Sequence, residues 1–123
     1  MNLVDSSGWL EYLADGPNAT FFAPALEATA DLLVSTVNIY EVFKRVLQQR
    51  GQDEALRAVA LMQQAVVADV TASIAMSAAQ LSAESGLPMA DSLILATARA
   101  HHAVLWTQDA DFEGIEGVRF VKK

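Results

Sequence analysis

The stretch LPMADSLILATARA, residues 87–100, reads as a helix that is apolar on nearly every side, yet it carries Asp91 in its first turn. Ile94, Leu95 and Ala98 follow three, four and seven residues on, so the carboxylate lies on or beside the face this helix should bury. A carboxylate taken out of water is costly unless it is hydrogen-bonded, paired or bound to a metal. Two readings are open from this segment alone. Pro88 can start the helix with Asp91 favouring its positive end, or Asp91 can belong to a polar site there.

Three more acids stand at comparable places: Asp5 closes the apolar run NLVD, Glu41 lies early in VNIYEVFKRVLQQRG, and Asp109 follows AVLWT by two residues in LWTQDADF. Each has an ordinary explanation. Asp5 suits a helix cap or strand-end turn, and Asp109 and Asp111 suit turn and cap positions. Glu41 shares a face with Asn38, Lys44 and Arg45, which fits a solvated surface with an i,i+4 ion pair to Arg45.

The elements that must position these acids alternate. NLVD, LLVST (residues 32–36), VVADVT, AVLWT (103–107) and VRFV (118–121) read as short apolar strands. Between them lie helical patterns: SSGWLEYLAD, APALEATA, the run from Val37 closed by Gly51, DEALRAVALMQQA, SIAMSAAQLSAESG closed by Gly86, and the Asp91 helix. In the helix from Val37, Ile39, Val42, Phe43 and Val46 should face inward. Alternation of this kind predicts an α/β domain with a mostly parallel sheet, and the 123 residues, without repeat or linker, predict a single domain, 1–123. In such a sheet the strand C-termini and the following helix N-termini share one edge, where ligands bind. All four acids are expected at that edge.

Like charges about 4 Å apart repel by roughly 4 kcal/mol at an effective dielectric of 20, so the cluster wants shared protons or a cation. With no Cys in the chain and only two histidines, the adjacent His101 and His102, an all-oxygen site selects Mg²⁺ or Mn²⁺ over zinc or copper. The histidines suit the exposed end of a helix. A hard cation that keeps several waters leaves room for a phosphate oxygen and points to in-line phosphodiester cleavage. DADFEG begins like an EF-hand loop, but Phe120 occupies the position of the required bidentate Glu, which rules that motif out.

The net charge of −7 argues against non-specific nucleic-acid binding by global attraction, but not against a local basic patch. No signal peptide or membrane-spanning run is visible, so a cytoplasmic location is expected.

In their order and spacing VDSSGWLEYL, STVNIYEV, GLPMADSLILATA and LWTQDADF resemble the PIN-domain ribonucleases, and specifically the VapC toxins of prokaryotic toxin–antitoxin pairs, over essentially the whole chain. The resemblance implies a three-layer α/β/α domain around a four- to five-stranded sheet, and a Mg²⁺- or Mn²⁺-dependent endoribonuclease acting on RNA of the tRNA or rRNA class. It implies Asp5, Glu41, Asp91 and Asp109 as catalytic acids, with Asp5, Asp91 and Asp109 on the metal. Ser7 and Thr107 would support them, and Asp111 would be a second candidate beside Asp109. It further implies a homodimer and a VapB-like antitoxin laid across the active-site groove. Lys44, Arg45, Arg50 and Arg99 are candidates for RNA phosphates, against the ordinary reading as solvated helix faces. Trp9 and Trp106 sit in core-like patterns and are expected to pack.

Two rivals come from other classes. A Mg²⁺-binding receiver-like signalling domain needs a phosphoacceptor Asp ending its central strand and a late Lys; VVADVT ends without that Asp, and no Lys lies between Lys44 and Lys122. A non-catalytic docking domain would use the acids only to bind.

Overall fold

The computed structural model describes residues 1–123. Five short strands form, β1 (Asn2–Val4), β2 (Leu32–Ser35), β3 (Val66–Ala68), β4 (Val104–Thr107) and β5 (Val118–Phe120), with six helices. These are α1 (Ser6–Leu13), α2 (Ala19–Glu27), α3 (Thr36–Arg50), α4 (Gln52–Met62), α5 (Ala72–Ser85) and α6 (Met89–Ala100). The sheet order is β3-β2-β1-β4-β5, and every neighbouring pair is parallel.

Strand periodicity divides the core into two layers, because successive side chains leave opposite faces of the sheet. Leu3, Leu33 and Leu105 stand in register on one face and pack with Ile94, Leu95 and Ala98 of α6. Val4, Val34 and Trp106 point to the other face, against Trp9 of α1, Phe22 of α2, Val42 of α3 and Met62 of α4. The result is the expected α/β/α sandwich, with all five strands parallel. Gly8 allows α1 to approach its neighbours: an added Cβ would lie 2.6 Å from Val4 Cγ1 and 2.7 Å from the Phe22 ring.

Some element bounds differ from the sequence expectation. The helix expected over APALEATA begins earlier, at Ala19, and contains Pro24. Pro24 removes one backbone donor, and burial of Phe22, Ala25 and Leu26 holds the helix together regardless. Only Val66–Ala68 of VVADVT is strand, because Thr71 turns the chain by accepting the Ile74 N–H at 3.2 Å. Val66 and Val67 are exposed rather than buried, since β3 is an edge strand. No helix is long and apolar enough to cross a membrane.

Candidate active site

The parallel topology sets where the acids project. Asp5 follows β1 directly, Asp109 lies two residues beyond β4, and α3, which carries Glu41, starts where β2 ends. Asp91 arrives from the other direction: α6 runs into β4 through a short turn at the sheet's opposite edge, so its first turn lies at the strands' C-terminal edge. The four carboxylates line one groove of about 1020 Å³.

Asp5 occupies the position before α1 but makes no side-chain cap hydrogen bond. Its Oδ2 instead accepts from Ser7 Oγ at 2.8 Å and from Thr107 Oγ1 at 2.9 Å. Thr107 is itself directed, because its oxygen accepts the Asp109 N–H at 2.9 Å. Burial raises the Asp5 pKa, the Ser7 and Thr107 hydroxyls and the Ser6 backbone pull it back, and the charge of Asp109 adds to the rise.

The ion pair between Glu41 and Arg45 does not form; the ion pairs present are Met1 with Asp31 and Arg57 with Glu54. Glu41 Oε1 accepts a hydrogen bond from Ser6 Oγ at 2.7 Å. Burial raises its pKa, the Ser6 hydroxyl opposes this, and the charges of Asp5 and Asp109 push it further up. Asn38, expected on a solvated face, is fully buried, because that side of α3 lies against the start of α1 rather than water.

Asp91 is half-buried, and its carboxyl is pushed up to about 7. Burial is the main cause, followed by the charges of Asp109 and Asp5 and by a side-chain hydrogen bond with Asp111. One carboxyl oxygen each from Asp91, Asp109 and Asp111 lies within 4.8 Å of the others. Asp111 therefore joins the tightest acidic group, and Asp5 stands outside it. Asp109 also acts as a cap, since its Oδ1 accepts the Asp111 N–H at 3.0 Å. No basic side chain pairs with any of these acids, so an oxygen-only, uncompensated cluster of this kind fits a hard divalent cation.

Lys44, Arg45 and Arg50 stand on one wall of the groove, joined by Arg57 of α4 and Lys123. Arg99 does not reach it. Its guanidinium lies in a separate depression between α5 and α6 and donates to the Glu116 carbonyl at 3.4 Å. Trp9 and Trp106 are buried, Trp106 beneath the Arg119 guanidinium at 4.3 Å. His101 and His102 are exposed at the end of α6.

Sequence reasoning missed Ser6, Asn38 and Gln108. The spacing of Ser35 and Asn38, a helix N-cap and the residue three positions on, could have flagged Asn38. Gln108 is buried, accepts from Asn18 at 2.9 Å and lies 3.5 Å from the Ser7 carbonyl. Those partners are remote in sequence, and nothing in the spacing points to them.

The fold has solved relatives. A toxin–antitoxin complex from Klebsiella pneumoniae is 23% identical with a TM-score of 0.81, over 97% of this chain and 96% of that one. A sarcin–ricin-loop-cleaving VapC toxin from Mycobacterium tuberculosis is 18% identical with a TM-score of 0.77, over 94% and 95%. A DNA-bound VapBC from Salmonella typhimurium is 17% identical with a TM-score of 0.75, over 99% and 98%. At such identities the likeness is one of fold. No curated protein matches the chain. The PIN domain model matches residues 3–118, which include every acid of the groove, and the chain accordingly belongs to the PIN domain family.

Proposed function

We propose that this chain, read as a single PIN domain, is a divalent-metal-dependent endoribonuclease and the toxin of a VapBC-type pair. The observation that carries the reading is the gathering of Asp5, Glu41, Asp91 and Asp109 from four separate segments into one groove with no cationic side chain paired to them. Family membership and the toxin–antitoxin neighbours support it.

Asp91 and Asp109 would hold Mg²⁺ or Mn²⁺ together with Asp5 and, on the geometry above, Asp111. When bound, the cation supplies Lewis-acid chemistry, activating a water and neutralising charge on the phosphate. Glu41, held at Oε1 by Ser6, offers its other oxygen as an acceptor to orient the attacking water. Ser7 and Thr107 hold the Asp5 carboxylate by one oxygen, which limits its reorganisation when charge changes nearby. Lys44, Arg45 and Arg50 contact RNA phosphates along the groove wall and position the chain for cleavage. An antitoxin segment bearing Arg or Lys would occupy the same groove and compete with the cation for the acids. The working form is a homodimer in the cytoplasm.

The test is cleavage of total bacterial RNA by purified protein, wild type beside Asp5→Asn, with Mn²⁺, Mg²⁺ or EDTA. Discrete fragments that require both the metal and Asp5 are expected, and end-mapping would then give the substrate. No metal-dependent cleavage by folded, antitoxin-free protein would favour a docking domain instead.

A further inference from the structure

A chain of hydrogen bonds runs from the end of β2 to Glu41, and its direction is fixed throughout. It starts at the Ser35 backbone N–H, which can only donate, and which reaches Asn38 Oδ1 at 3.2 Å. That contact orients the amide, so Asn38 Nδ2 faces away from the cap and donates to Ser6 Oγ at 3.0 Å. The Ser6 oxygen is thereby an acceptor, and its single proton goes to Glu41 Oε1 at 2.7 Å.

Every group in the chain except its end is out of water: Ser35 and Asn38 are 0% exposed and Ser6 is 6% exposed. A buried amide reversed in this place would set its NH2 against the Ser35 N–H, leaving that donor without an acceptor, and would draw the Ser6 proton away from Glu41, so the reversed orientation is strongly disfavoured. The Ser35 hydroxyl serves the other part of the cap, accepting the Val37 N–H at 3.1 Å. The path links three elements, β2, α3 and the first residue of α1, and ends on a carboxylate that no basic side chain holds. A glutamate left to itself would sample several rotamers, and ordering it would cost conformational entropy at each turnover.

We infer that Asn38 and Ser6 are positioning residues: Asn38 sets the direction of the Ser6 hydroxyl, and Ser6 fixes one oxygen of Glu41 so that the other faces the groove. The consequence for turnover rests on the nuclease reading above; the placement of Glu41 does not. Asn38 is buried away from the groove, Ser6 lies at its edge, and both act through Glu41.

Two variants separate this role from a merely structural one. Ser6→Ala deletes the donor. Asn38→Leu, close in volume, removes the amide donor and frees the Ser6 proton to turn away from Glu41, while the Ser35 hydroxyl still caps the start of α3 through the Val37 N–H. Both are expected to lower kcat about tenfold or more with KM unchanged, as for loss of a hydrogen bond to a charged group. Crystal structures of both variants are expected to show the Glu41 carboxylate displaced or in more than one rotamer, with the α1–α3 packing intact. A Glu41 that stays in its wild-type position in both structures overturns the inference, and so does an unchanged kcat or a defect confined to KM. If the wild type cleaves no RNA, the nuclease reading fails by itself, and the position of Glu41 in the two variant structures still decides whether Ser6 and Asn38 hold it.

Discussion

The acids of the groove fall into two halves that are treated oppositely. Asp5 and Glu41 are anchored: each gives one carboxylate oxygen to hydroxyl donors from buried or half-buried serines and a threonine. Asp91, Asp109 and Asp111 are bare of outside donors, facing one another within 4.8 Å, with the Asp111 N–H on Asp109 and a carboxyl–carboxyl bond between Asp91 and Asp111 as their hydrogen bonds. The anchored half stores its order in the folded chain. The bare half concentrates negative charge that only protons or a cation can offset, and burial together with that charge pushes the Asp91 carboxyl up to about 7. Preorganisation and uncompensated charge are thus divided between two sets of side chains rather than shared by all.

The largest expected effect tests the bare half. Asp91→Asn should lower RNA cleavage by about two orders of magnitude or more, as for loss of a central electrostatic group. In metal-free buffer the same variant should be as stable as the wild type or more so, since it removes a like charge from a crowded cluster. Thermal unfolding with EDTA measures this. A variant destabilised by several kcal/mol would make Asp91 a structural partner and erase the distinction between the halves.

The anchored half should behave in the opposite way. Thr107→Val removes a donor to Asp5 and the acceptor of the Asp109 N–H, and should destabilise the metal-free protein by about 1–3 kcal/mol. Denaturant midpoints of wild type and variant in EDTA give the figure. No loss of stability would mean that the hydroxyl contacts are incidental.

A smaller effect follows from proton linkage. The folded pKa of Asp91 is about 7, raised above its ordinary 3.8, and Asp5 and Glu41 are raised as well. In the window between these values the folded state binds the extra protons, so stability is highest at the acid end and declines as pH rises. Metal-free protein should therefore melt several degrees higher near about pH 5 than near about pH 8. Saturating Mn²⁺ should reverse that order, because the cation binds the deprotonated cluster. Asp91→Asn should flatten most of the dependence. A melting temperature that rises with pH in EDTA would show that the bare acids are already compensated.

The division between the halves also explains what the sequence could reveal. The parallel sheet was legible because β1, β2 and β4, largely buried on both faces, read as continuous apolar runs, and the shared edge followed from geometry alone. Asp91 was legible because a carboxylate in the first turn of an otherwise apolar helix is anomalous. The anchoring donors were harder to see. Thr107 lies about a hundred positions from Asp5, and Ser6 lies 35 positions from Glu41, so neither contact leaves a periodic trace. Asn38 was misplaced on a solvated face because helix periodicity identifies residues that share a face but not which neighbouring element covers them. The early start of α2 was hidden by Pro24, which reads as a first-turn residue and here sits inside the helix.

The smallest expected effect concerns charge outside the acids. On the nuclease reading, a groove floored by carboxylates would repel RNA, so approach would depend on the cationic wall of Lys44, Arg45 and Arg50. These side chains stand on α3, the helix that also carries Glu41, and a phosphate held by them would lie beside the anchored half first. Lys44→Ala with Arg45→Ala should raise KM a few-fold at low salt with little change in kcat, and the difference should shrink as salt screens the contacts. Arg99→Ala should change neither constant, because its guanidinium is in the depression between α5 and α6. Steady-state cleavage of a short RNA at several salt concentrations makes the comparison. If Arg99→Ala raises KM as much as the α3 pair does, RNA crosses the α5–α6 side of the molecule, and the substrate would then enter past the bare acids rather than the anchored ones.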